Sequence, residues 1–475
     1  MEGFYRGGSH LQIDRDKLAA VLAAAAKAGS DYVDIFIEEA STAQIFCEQD
    51  RIERVTAGID AGAGIRVISG ETTAYAYTND LSLDGLKEAA RIAAAAAKQQ
   101  EGDKAIDLCR RHPSFQLPIG VPPETVAVAN KVAVVERANR AARGANPKVR
   151  QVTVSYRDIS QRVIIANSLG DWVEDERIRT NLSVNVIAME DDKIQTGYES
   201  TGGVIGFELF QQYEPEELAL KAARRAVRML GARPAPAGRM PVVIAGEAGG
   251  TMVHEACGHG LEADLVQKGI SVYAGKLGQQ VASPLVTVVD DATLPGKFGS
   301  YRFDDEGTEG QRTVLIENGI LVGYMYDYLT ARKDDVASTG NGRRESYRHK
   351  PIPRMTNTLI LAGQDDPQDI IRDTERGLFV ARMGGGQVNT ANGDFVFEVS
   401  DGYLISGGEI GEPVRGATLT GNGPKALALI DRVGGDLGFA IGLCGKDGQG
   451  APVSDAQPTI RIPELVVGGI MEEDQ

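Results

Sequence analysis

The sequence predicts an α+β protein of two domains: an N-terminal mixed α/β domain over residues 1–232 and a C-terminal β-rich domain over residues 233–475. Three observations carry that expectation. The chain has 475 residues, 42% of them hydrophobic, which is enough for two separate cores. Its first half interleaves Ala-rich helical periodicity with alternating, strand-like runs. Then Gly-Ala-Arg-Pro-Ala-Pro-Ala-Gly at 231–238 breaks the periodicity, and beyond it short strands and glycine turns dominate.

Taken in order, residues 14–28 form an Ala-rich helical pattern, and residues 32–38, 44–49 and 64–68 alternate as strands. A second helix is expected over residues 83–98. A third should follow Pro122, with Pro123 and Glu124 in its first turn, because proline has no backbone N–H to lose there. Several strands fill residues 149–187, and a helix runs over residues 215–230. The second half opens with an apolar strand at 241–245, then Gly246 and a helix containing Thr-Met-Val-His-Glu-Ala-Cys-Gly-His-Gly. Gly384-Gly-Gly386 and Gly407-Gly408 lack the Lys-Ser/Thr ending of a phosphate loop and read as turns or crowded strands. Gly423-Pro-Lys425 starts a helix over residues 426–430.

A formal net charge of −16 argues against nucleic acid or an anionic membrane as partner, since both attract basic surfaces. The N-terminus, Met-Glu-Gly-Phe-Tyr-Arg-Gly-Gly, lacks the charged and apolar regions of a signal peptide, and no apolar run reaches membrane-spanning length. A cytoplasmic location is expected. The four cysteines, Cys47, Cys109, Cys257 and Cys444, contain no Cys-x-x-Cys pair and form no disulfide framework.

Chemistry concentrates at His254, Glu255 and His259. Neutral imidazole binds zinc well, and a neighbouring Glu can deprotonate the water that such an ion polarises. Two of only five histidines flank this one Glu, which makes coincidence a poor explanation. The spacing is unusual, because at about 100° per residue five steps leave the two side chains roughly 140° apart on an ideal helix. The helix must deviate, by a π-bulge or an end near Gly258 and Gly260, to swing His259 back towards His254. Cys444, in Gly-Leu-Cys-Gly-Lys-Asp-Gly-Gln-Gly with Lys446 close by to favour the thiolate, is the expected third ligand. Cys257 competes, but from the same turn it should point into the packing.

These residues, with Tyr-Arg-Phe-Asp-Asp-Glu-Gly at 301–307, Pro-Arg-Met-Thr-Asn-Thr at 353–358, Gly-Asn-Gly at 421–423, Cys-Gly-Lys-Asp-Gly-Gln at 444–449 and Pro-Val-Ser-Asp-Ala-Gln-Pro at 452–458, resemble the TldD/PmbA family of metallopeptidases over essentially the whole chain. His254, Glu255, His259 and Cys444 are all present, so the chain is similar to the metal-bearing TldD type, not to PmbA-type (TldE) members that lack the set. The resemblance implies one zinc per active subunit, short or unfolded peptides as substrates, and a homodimer or a pairing with a PmbA-type partner. The same zinc, water and Glu255 would also serve a hydrolase of non-peptide amides. A metal that merely stabilises a non-catalytic partner subunit fits less well, since Glu255 has no reason to stand beside a structural ion.

Two further constellations stand out. Asp304, Asp305 and Glu306 are consecutive, so their side chains diverge, and a solvated turn is expected in place of a metal site. Arg343, Arg344, Arg348, His349, Lys350 and Arg354 surround Tyr347 in a basic stretch expected to be mostly a solvated loop. Within it His349 and Arg354 are candidates for substrate binding, as donors to a carboxylate or a developing oxyanion.

Overall fold

The computed structural model describes residues 13–26, 30–97 and 106–469 of an α+β chain. A seven-stranded sheet draws on the first half, and a six-stranded and an eight-stranded sheet on the second. No described helix is long and apolar enough to cross a membrane.

The first helix is Arg15–Ala25, capped by the Asp14 carboxylate on Lys17 N–H; residues 27 and 28 of its expected extent lie outside the described residues. Residues 32–38 and 44–48, expected within two separate strands, belong to one strand, β1 (Tyr32–Glu48), and Gln49 is already in the turn after it. The expected strand at 64–68 is only the end of β2 (Arg51–Ser69). The two pair antiparallel along their whole length, and backbone hydrogen bonding carries them through a stretch of β2 whose side chains are exposed and lack strong alternation. β3 (Thr72–Thr78) precedes the helix Leu83–Ala96, whose expected residue 98 is outside the described set. Pro123 begins only a short 3₁₀ turn, Pro123–Thr125, and the third helix starts later, at Val128–Gly144. β4 (Cys109–Arg110), β5 (Val149–Asn167), β6 (Asp171–Glu190) and β7 (Lys193–Gly203) complete the sheet, in the order β3-β2-β1-β5-β6-β4 with β7 also on β6. The helix Pro215–Leu230 follows, with proline in its first turn.

The two faces of this sheet differ in kind. Side chains alternate along a strand, so Val33, Ile35 and Ile37 of β1 and Leu182, Val184 and Val186 of β6 form apolar cores on the helix side. The opposite face presents Asp34 and Glu38 of β1, Arg66 of β2, and Asp175, Arg177 and Arg179 of β6, all buried. What covers them is the second half of the chain. Asp304, Asp305 and Glu306 are no solvated turn: they are 0%, 3% and 3% exposed. Asp305 meets Arg177 at 2.5 Å and accepts from the Arg344 backbone at 2.7 Å, while Glu306 lies 2.6 Å from Arg66. Half of the basic stretch is likewise buried, because Arg343, Arg344 and Arg354 find carboxylates or carbonyls inside; His349 is half-buried, and Arg348 and Lys350 remain exposed. Tyr347 packs over Gly62, where a Cβ would come within 2.2 Å of its ring, so only glycine admits it.

In the second half, Arg233–Pro234 pairs with Glu409–Arg415, which ties residues 231–238 to the eight-stranded sheet. Strand Gly238–Ile244 lies between Arg376–Asn389 and Ile460–Gly468. Pairing of Arg376–Asn389 with Asp394–Ser406 closes five of these strands into a ring around the largest apolar core. Gly384 to Gly386 sit at a bulge in that ring, Gly407 and Gly408 form a turn with φ of 63° and 76°, and Gly423–Leu429 is a helix. In the six-stranded sheet, Gln449–Gln457 pairs with Asn357–Ile360 on one side and with the edge strand Gly438–Lys446 on the other.

Candidate metal centre

The helix that follows Gly250 changes pitch at the histidines. Thr251–Val253 is α-helical, His254–Gly258 is π-helical, and His259–Leu261 is 3₁₀. The His259 N–H bonds to the His254 carbonyl, an i→i+5 link that adds one residue to the turn and brings the five-residue step onto one face. The two imidazole centroids are 4.9 Å apart at 87°. Gly258 serves this turn by its size, not its conformational freedom: its φ and ψ are −50° and −62°, ordinary helical values. A Cβ there would lie 2.2 Å from the Met355 sulfur.

Cys444 reaches the pair from strand Gly438–Lys446, whose hairpin turns at Asp447 (φ 51°) and Gly448 (φ 73°). Its thiol lies 3.3 Å from His259 Nε2, and one ligand atom from each of His254, His259 and Cys444 falls within 4.8 Å of the others. Among the described residues this is the one His/Cys/Asp/Glu group with metal-ligand geometry. Two imidazole nitrogens and a thiolate suit zinc, whose bonds of roughly 2.0–2.3 Å demand ligands a few ångströms apart.

Each imidazole is held from behind. His254 Nδ1 is 2.7 Å from Asp455 Oδ1, and His259 Nδ1 is 3.1 Å from Glu262 Oε2, which leaves both Nε2 atoms directed at the cluster. That arrangement fixes tautomer and ring orientation in metal-binding histidines. Glu262 is fully buried and anchored by Lys446 at 3.0 Å. Lys446 therefore turns to Glu262 and Asp264, not to the thiol as expected from sequence. Burial opposes the thiolate, but the neighbouring imidazoles of His254 and His259 outweigh it and bring Cys444 down to about 5. Burial likewise disfavours imidazolium at His259, yet Glu262 and Cys444 raise it to about 9. His254 is raised for the same reason, with Asp455 as the dominant charge against burial.

Glu255, partly exposed beside the cluster, has its affinity for a proton raised by burial against the opposing pull of His254 and His259. Among the described residues its carboxylate engages no hydrogen-bond partner. Cys257 points away, donating to the Val253 carbonyl at 3.3 Å, and burial pushes its thiol up to about 12.

The two expected substrate-binding residues are placed differently. Arg354 is 1% exposed and donates to the carbonyls of Cys444 and Gln449, with its Nε 4.0 Å from Glu262 Oε1. Its two terminal nitrogens thus hold the Cys444 hairpin while its charge faces Glu262, and buried there it presents no exposed donor to a substrate. His349 bonds Ser346 at 3.1 Å and is not one of the three converging ligand residues. Sequence reasoning missed Asp455 and Glu262. Glu262 carried a local signal, three residues after His259, and Asp455 lies inside the 452–458 stretch already singled out.

Comparison with known proteins adds independent support for the family. The profile of the PmbA/TldA metallopeptidase C-terminal domain matches residues 237–469, that of the central domain residues 121–230, and that of domain 1 residues 33–97. The chain is 38% identical over 453 residues to a metalloprotease TldD homolog of Haemophilus influenzae, covering 92% of this chain and 93% of that one. It is 36% identical over 462 residues to a metalloprotease of Methanothermobacter thermautotrophicus, covering 97% and 100%. Its fold is similar to that of TldE from Thermococcus kodakarensis, with a TM-score of 0.74 at 20% identity over 92% of this chain and 97% of the other.

Proposed function

The chain belongs to the PmbA/TldD metallopeptidase family, and from that premise we propose that it is a zinc peptidase acting on short or unfolded peptides with Glu255 as its general base. The observation that carries the reading is the convergence of His254, His259 and Cys444 beside an unpaired Glu255, with a carboxylate behind each imidazole. Zinc bound there would supply Lewis acidity, polarising a scissile carbonyl and acidifying a water. Asp455 and Glu262 keep the Nδ1 protons in place, so each imidazole offers its Nε2 lone pair. Glu255 takes a proton from the attacking water and returns it to the departing amine, a role suited to a carboxylate whose proton affinity burial has raised.

An extended peptide can align on strand Gly438–Lys446, the last strand of its sheet, so that backbone hydrogen bonds set register with little side-chain selectivity. The fold shared with TldE supports pairing with a PmbA-type subunit, and a homodimer is the alternative arrangement. Glu255→Gln is the decisive test. Zinc content by metal analysis should stay at one per chain while peptide turnover drops by about 10²–10⁴. Turnover near the unmodified level would remove Glu255 as the base, and cleavage of small amides but not of peptides would favour an amidase.

A further inference from the structure

A cavity of about 380 Å³ lies between the charged face of the first sheet and the hairpin that carries Cys444. Its walls come from β6 and β7 on one side and from Ile441 and Leu443 on the other. Alternation along strand Gly438–Lys446 turns Leu443 to the face opposite Cys444, so the cavity and the candidate metal ligand lie on opposite faces of one strand, at neighbouring residues. Both bordering strands, β7 and Gly438–Lys446, end their sheets.

The lining of this cavity mixes five arginines with the carboxylates of Glu38, Asp305 and Glu345, and the arginines are unequally paired. Arg177 and Arg344 in its lining are answered by Asp305, Asp175 and Asp34. Arg179 and Arg343 are not: 5% and 4% exposed, they form no ion pair among the described residues. Arg179 donates Nε to the Phe298 carbonyl at 2.9 Å and Nη2 to the Ser300 carbonyl at 3.3 Å, which leaves Nη1 without a partner. Arg343 donates to the carbonyls of Met355 and Pro452. A buried cation answered only by neutral carbonyls is costly to maintain. Burial, and then the nearby Arg343 and Arg177, lower Arg179 to about 9, so its charge is disfavoured yet retained at neutral pH. The free Nη1 of Arg179, on a guanidinium with no ion pair among the described residues, offers an anionic occupant a charge-assisted contact.

We propose that this cavity binds a carboxylate, the free C-terminus of a peptide lying against the Cys444 strand, with Arg179 as the contacting residue and Arg343 as its electrostatic support. The pocket is large enough for one or two residues, and guanidinium recognises carboxylate in a directed, charge-assisted geometry. The inference rests on the peptidase reading for the identity of the ligand.

Calorimetric titration of the metal-free full chain separates the two. An N-acetylated tripeptide is compared as free acid and as C-terminal amide, and inorganic phosphate is added as a competing oxyanion. The acid should bind about tenfold more tightly than the amide, or about 1.4 kcal/mol. That ratio should fall to within about twofold in Arg179→Gln. Ser200→Glu, which sets a carboxylate in the same lining, should have the same effect if loss of Arg179 impairs folding. Phosphate should displace the acid. Equal affinities for acid and amide, no detectable binding of the acid, or a tenfold preference that survives in a folded variant would each overturn the assignment, as would phosphate binding with no acid preference. Because no turnover is read, a preference for the acid without hydrolysis by zinc-loaded protein would defeat the peptidase reading alone, and hydrolysis without the preference would defeat this site alone.

Discussion

Replacing Asp455 with Asn tests whether the candidate centre depends on the carboxylate behind His254. Asp455 is 8% exposed and its Oδ1 is 2.7 Å from His254 Nδ1. For Nε2 to bind a metal, the imidazole must be neutral with its proton on Nδ1, and Asp455 can only accept that proton. Asn keeps the volume but has two faces. With its oxygen towards the ring it preserves the tautomer and loses the charge, roughly halving the strength of the bond. With its amide nitrogen there it favours the other tautomer and points an N–H at the site. Loss of such a support weakens metal binding by about 10–100-fold, or about 1.4–2.7 kcal/mol. Glu262→Gln is the less clean perturbation, since it would also remove one of the two carboxylates on buried Lys446 and the charge facing Arg354. The assay is zinc competition against a chromophoric chelator at pH 7.5, with circular dichroism to establish that the metal-free variant folds. Zinc affinity within about twofold of the unmodified protein, in a folded variant, would refute the idea that Asp455 sets the ligating state of His254.

Other consequences can be checked directly. Alkylation of Cys444 in metal-free protein, followed by mass spectrometry, should change little between pH 6 and 8 because its thiol already ionises at about 5; an ordinary thiol near 8.5 would speed up by about 80-fold over that range. Cys257, pushed up to about 12, should stay unlabelled throughout, and zinc should protect Cys444. Gly258→Ala would drive a methyl to within 2.2 Å of the Met355 sulfur in a buried turn, so thermal unfolding should report a loss of about 1–3 kcal/mol with weaker zinc binding. An unfolding curve and zinc affinity identical to the unmodified protein would show that the π-turn tolerates a side chain. Arg66→Ala leaves Asp34 and Glu306 buried without their shared cation and should cost about 3–5 kcal/mol in urea unfolding; a loss under about 1 kcal/mol would mean that Arg344 compensates Asp34 by itself.

The contrast between what was legible and what was not has one physical root. A five-residue spacing of His254 and His259 around Glu255 can converge only if the helix departs from α geometry, so the local conformation was implied by the function assigned to it, and the π-turn supplies it. Asp455, 201 residues from His254, had no local reason to be its partner; what joins them is the strand Gln449–Gln457, whose Asp455 carbonyl also accepts the Gly250 N–H at the start of the site helix. The same limit governs the first sheet. Alternation in β1 and β6 says that two faces differ, with Ile35 and Val184 on one and Asp34 and Arg177 on the other. It does not say that water lies on the polar side. There the polar side meets Asp305, Glu306 and Arg344 from the other half of the chain, and ionic groups that a single segment would present to solvent become an interior matched by charge. The pairs in that interior hold the halves together. Arg179 and Arg343, which form no ion pair among the described residues, lie next to the hairpin of Cys444, a juxtaposition legible in neither half alone.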